Sequence, residues 1–139
     1  MSLSRQQRFP RARKSVRSAR DFVTGTLTEW GVSDRQDDIR LCVSELATNA
    51  LLHGVPPGRE MCVQISVEGL LVRLEVRDSG GGHPAVQSPG MESCDGRGLM
   101  LASEVADDFG VTEHVVGKTV WVAFKTVCVP VPVAGRRSP

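Results

Sequence analysis

Apolar residues along the chain fall into two periods. From Ser15 to Trp30, Val16, Ala19, Phe22, Val23, Leu27 and Trp30 recur at helical spacing, and Gly31 supplies a stop. Pro10 suits the first turn of such a helix. A second helix is expected from an N-cap at Ser33 to about His53, closed by Gly54, with Asp34, Asp37 and Asp38 at the positive end of its dipole. Ile39, Val43, Leu46, Ala47 and Ala50 form its apolar face. The period then changes to two. Met61, Val63, Ile65 and Val67 alternate with polar residues, as do Val72, Leu74 and Val76, with a hairpin turn expected at Glu68-Gly69. Leu99, Ala102, Val105 and Ala106 predict a third helix. Residues 110–116 and 119–127 predict a second hairpin across Gly117-Lys118, and residues 1–9 carry a weak strand signal.

This order predicts a two-layer α/β (α+β) sandwich: helices on one face of a mixed, mostly antiparallel sheet. Residues 1–127 are expected to form a single domain, with 128–139 as a disordered tail. A chain of 139 residues suits one core. The loop from His83 to Asp95 is long enough, and rich enough in Gly, Pro and Ser, to be read as a mobile lid.

Charge changes the picture at one end. Residues 1–20 hold seven basic side chains and no acid, whereas the remainder carries ten basic against sixteen acidic. This is either a solvated helix face or a basic arm for an acidic partner or nucleic acid. Scarce aromatics, four Phe and two Trp with no Tyr, argue against a base-stacking surface, so nucleic acid is not an expected partner. The four cysteines and three histidines show no metal-ligand spacing. No apolar run is long enough for a membrane span, and the cytoplasm is the expected compartment.

Three polar clusters carry candidate chemistry. In "SELATNALLHG", Glu45, Asn49 and His53 lie four apart, along one border of an apolar helix face. They are either a polar flank or a set that needs a cation or ligand. In "DSGGG", Asp78 shares parity with Val72, Leu74 and Val76, so it points to the covered side of the sheet. It is either a turn cap or an acceptor for a buried amine, with Gly80 and Gly82 allowing close backbone approach. In "DGRGLM", Gly96 and Gly98 precede a helix, whose first N–H groups suit phosphate. Each cluster alone is weak. In this order they make a nucleotide pocket.

These motifs resemble those of the GHKL ATPases, whose fold is the Bergerat ATP-binding fold. "ELATN" is similar to the N box, "DSGGG" to the D-x-G-x-G box and "GRG" to the G-x-G box, over roughly residues 8–126. "VSELATNALLHG" most resembles the anti-sigma-factor serine/threonine kinases of bacteria. "GKTVW", 117–121, is similar to the family's final strand. The resemblance implies ATP and Mg²⁺ as cofactors. It implies that Asn49 binds Mg²⁺, that Glu45 is the catalytic acceptor of a serine proton, and that Asp78 takes the exocyclic amine of adenine with Thr119 in support. His53, Gly96, Arg97, Gly98 and Leu99 would lie near the phosphates. The parity of Thr119, opposite to Val120, Val122 and Phe124, leaves its direction open. The implied partners are an anti-anti-sigma (STAS-type) protein and a sigma factor, and a homodimer is compatible with the family. Two functional readings follow: a Mg-ATP-dependent serine kinase, or a nucleotide-gated module that holds its partner without catalysis.

Overall fold

The computed structural model describes residues 2–54, 58–78, 96–128 and 130, and for residues 53, 54 and 96–100 it describes the backbone. The expected lid and most of the expected tail lie outside the described residues, as do Gly80 and Gly82. Five strands form one sheet: β1 (Ser2–Pro10), β2 (Glu60–Glu68), β3 (Leu71–Asp78), β4 (Asp108–Glu113) and β5 (Lys118–Lys125). Their order is β1-β2-β3-β5-β4, and every neighbouring pair is antiparallel. Among the described residues three α-helices, α1 (Lys14–Glu29), α2 (Gln36–Asn49) and α3 (Gly96–Val105), accompany it. The structure is thus the α/β arrangement that the two periods predict. Among the described residues no helix is long and apolar enough to cross a membrane.

Period-two alternation explains the sheet's two sides. Met61, Val63, Ile65 and Val67 of β2 and Val72, Leu74 and Val76 of β3 are buried, while residues between them are half-buried or exposed. The buried side meets Ala19, Val23 and Leu27 of α1 and Ile39, Val43 and Leu46 of α2 in one core. Each such aliphatic side chain contributes roughly 1.5–3 kcal/mol by leaving water.

Several boundaries differ from expectation. Pro10 ends β1 rather than starting a helix; its carbonyl accepts a hydrogen bond from Ser15 Oγ at 2.6 Å. The second helix begins at Gln36, not after Ser33. Asp34 is drawn elsewhere: its carboxylate accepts from Thr126 Oγ1 at 2.6 Å and from Val127 N at 2.9 Å, tying the helix entry to the chain beyond β5. Its α-helical part ends at Asn49, and a π turn, Ala50–Gly54, carries it on. The first hairpin turns at Gly69-Leu70, one residue later than expected, where Gly69 adopts φ 62°. In the second hairpin the turn is 114–117, with Gly117 at φ 82°, so Lys118 belongs to β5.

Arg35, just before α2, joins the layers at one end. It donates to Asp38, to Asp107 at 2.9 Å, to the Lys125 carbonyl at 2.9 Å and to the Val105 carbonyl at 3.1 Å, and its guanidinium lies over the Phe124 ring. The Val105 carbonyl is at the C-terminus of α3, where unsatisfied acceptors favour a cation. Arg35 therefore fixes the far end of the helix that starts at Gly96.

Candidate functional site

Asn49 is the last α-helical residue of α2 and is only 8% exposed. Burial of Leu46, Ala47 and Ala50 around it turns that side of the helix inward. Among the described residues its side-chain amide has no hydrogen-bond partner. An amide buried without a partner costs about 1–3 kcal/mol, so such a group is a signal of a missing ligand. Glu45, one turn earlier, is half-buried and makes no ion pair among the described residues. The row of three expected from the sequence is thus kept for Glu45 and Asn49. His53 lies in the π turn, where the backbone departs from α-helical spacing.

Asp78 ends β3 on the covered side of the sheet, as its parity predicts, and is 4% exposed. The residue beside it is Lys118, 5% exposed, not Thr119. The Lys118 backbone N–H donates to Asp78 Oδ1 at 3.2 Å, and Lys118 Nζ lies 3.4 Å from Oδ2. Thr119 pairs with Arg77 in the register and so faces the other side of the sheet, where its hydroxyl meets His114 Nε2 at 2.8 Å. In this register Lys118, not Thr119, shares the covered side with Asp78. Both sides of β5 are largely buried, which is why hydrophobicity alone left its direction open. The one signal in the sequence for Lys118 is its shared parity with Val120, Val122 and Phe124, which does not by itself choose a side of a strand buried on both.

Gly96, Arg97, Gly98 and Leu99 are the first four residues of α3. Their backbone N–H groups are those that an α-helix leaves without internal partners. α2 packs on both α3 and β3, and the π turn packs on β3. Cys42 Sγ approaches the Ala102 carbonyl at 3.8 Å across the first of these contacts. The helix with Glu45 and Asn49 therefore neighbours both the strand with Asp78 and the helix opened by Gly96, although the three are far apart in sequence. Residues 79–95, which connect the last two, lie outside the described residues.

This arrangement offers an acceptor–donor pair at a strand end, a buried amide beside a carboxylate, and a helix N-terminus. Among the described residues no cluster of three His, Cys, Asp or Glu could hold a metal ion on its own. A Mg²⁺ ion that keeps waters and phosphate oxygens needs no such cluster, and the Asn49 amide, without a partner among the described residues, fits it as a hard oxygen ligand. A cavity of about 870 Å³ opens on the opposite side of the sheet, lined in part by Arg8, Cys62, Arg77, His114 and Thr119. Asp78 also touches it, but Glu45 and Asn49 do not.

Residues 9–124 match the family model described as the histidine kinase-like ATPase domain. No curated protein matches the chain. Among solved structures, the RsbU and RsbW domains of Rv1364c from Mycobacterium tuberculosis are similar, with a TM-score of 0.66 and 20% identity. The match covers 94% of this chain and 33% of that one, so the chain spans about a third of the length of its structural neighbour. At that identity the likeness is one of fold.

Proposed function

Since the chain belongs to the histidine kinase-like ATPase domain family, we propose that it binds Mg-ATP and phosphorylates a serine on an anti-anti-sigma (STAS-type) partner, and that it also sequesters a sigma factor. The observation that carries this reading is the buried Asn49 amide with no partner among the described residues, one turn from Glu45. The amide oxygen would hold Mg²⁺, which when bound would offset phosphate charge. Glu45 would accept the proton of the attacking serine hydroxyl. The N–H groups of Gly96, Arg97, Gly98 and Leu99 would donate to phosphate oxygens, and the Arg97 guanidinium would follow the transferred group. Gly80 and Gly82 would allow the nucleotide close to the backbone, with His53 at the phosphate side. Asp78 would accept the exocyclic amine of adenine. Phosphoryl transfer asks mainly for positioning and charge stabilisation, so a site of this size is adequate.

Incubation with Mg-ATP and candidate STAS-type proteins should yield phosphoserine on one of them. Calorimetric titration should show ATP binding that strengthens with Mg²⁺, and Asn49→Ala should abolish the Mg²⁺ dependence. ATP binding identical in the two proteins, with and without Mg²⁺, would remove the basis of the reading.

A second reading is favoured by one feature: the stretch from His83 to Asp95 contains no lysine or arginine to stabilise transferring phosphate. The protein would then be a nucleotide-gated module that holds its partner without chemistry. Glu45→Ala separates the two, since a kinase loses phosphorylation whereas a gated binder keeps full partner regulation.

A further inference from the structure

Lys118 is a charged side chain buried beside a carboxylate at the strand end that carries Asp78. Its ammonium has three donors. Among the described residues Asp78 is its one side-chain partner, at 3.4 Å. The ion pair is not a source of stability that would explain it: desolvating two charges costs several kcal/mol per ion, and an apolar pair of similar volume often does as well. A buried ammonium with donors to spare points instead to an acceptor that arrives with a ligand.

The backbone narrows the geometry. Lys118 and Asp78 sit side by side on adjacent antiparallel strands, both on the covered side of the sheet. The Lys118 N–H fixes Oδ1 at 3.2 Å, which orients the carboxylate while Nζ stands beside Oδ2. The site thus presents one acceptor and one charged donor next to each other. A 6-aminopurine presents the complement on one edge: an exocyclic N–H donor adjacent to the ring N1 acceptor.

We propose that Lys118 is a base-reading residue that donates from Nζ to N1 of adenine while Asp78 accepts from the 6-amino group. This rests on the reading of the site as an adenine-nucleotide pocket and adds to it a second, cationic contact with the base. No proton changes hands, because the ammonium donates and stays charged.

The experiment compares ATP with 1-deaza-ATP, in which a C–H replaces N1 and the 6-amino group is kept. Binding is measured by calorimetry on the wild-type chain and on Lys118→Met. The wild type should bind ATP ~10-fold or more tightly than the analogue, as a hydrogen bond from a charged donor warrants. Lys118→Met should bind both alike. Should the Met variant fail to fold, judged by circular dichroism, Lys118→Gln leaves a polar neighbour for Asp78 and should narrow the gap. Equal binding of ATP and 1-deaza-ATP by the wild type would overturn the Lys118 contact and leave the ATP reading intact. A gap that survives unchanged in the variant would also overturn it, by showing that another group reads N1. No ATP binding by the wild type would overturn both.

Discussion

Arg35→Met tests how the glycine-bearing helix α3 is held in place. The substitution keeps an apolar stem against Phe124 and removes the guanidinium, with its bonds to Asp38, Asp107, Val105 and Lys125. Asp38 and Asp107 are each more than a third exposed, so water replaces the arginine there. Each ion pair then counts for about 0.5 kcal/mol. The bonds to the two carbonyls count for about 1 kcal/mol each, and the contact with the Phe124 ring for about 0.5 kcal/mol. The total is about 3.5 kcal/mol, equivalent to a fall in Tm of about 12 °C for a chain of this length. Urea unfolding followed by circular dichroism measures it, on Arg35→Met, Asp107→Asn and the double variant. The singles should be non-additive by about 0.5 kcal/mol or more, because one contact is removed in both. A loss below about 1 kcal/mol, or strict additivity, would refute the idea that Arg35 clasps the C-terminus of α3 to β5.

Three further outcomes are expected. Gly110→Ala should destabilise by about 1–3 kcal/mol, since a Cβ there would lie 2.6 Å from the Trp121 ring; thermal melts and tryptophan emission would register it. Burial, reinforced by the charges of Asp38 and Glu45, pushes the Cys42 thiol up to about 12, so Ellman's reagent at about pH 8 should spare Cys42 until the chain unfolds. The Asp107 carboxyl is held below its ordinary 3.8 by the Lys125 N–H and by Arg35. Asp34 is too, since hydrogen bonds from Thr126 and Val127 outweigh the opposing effect of burial. The unfolded chain therefore takes up these protons first as pH falls. Their contribution is full above about pH 4 and is lost as pH drops through the depressed folded values, so Asp107→Asn should flatten the acid limb of a stability-against-pH curve.

The sequence carried the architecture because burial obeys periodicity. Alternation in β2 and β3 gave the covered side directly, including the inward direction of Asp78. The helical rows around Val23 and Leu46 gave the layer above it. What escaped was decided by contacts between distant residues. Ser33 and Asp34 look like a helix start, but Asp34 is recruited by Thr126 and Val127, over ninety residues away. Lys118 reads as a turn residue because lysine after glycine is unremarkable in a hairpin. Its pairing with Asp78 depends on the β3–β5 register, which hydrophobicity leaves open when a strand is covered on both sides. Arg35 has no motif at all, since apart from nearby Asp38 its partners are two main-chain carbonyls and one carboxylate remote in sequence.

The position of β1 at the margin of the sheet bears on how the molecule behaves in concentrated solution. Nine residues of main chain there have a neighbour on one side, which is an invitation to strand addition and fibre growth. The segment answers with the charge of Arg8 and with Pro10 as a terminator, a composition that repels its own kind. Self-association along this border is thus held off by like charge, and salt, by screening that repulsion, should weaken the protection.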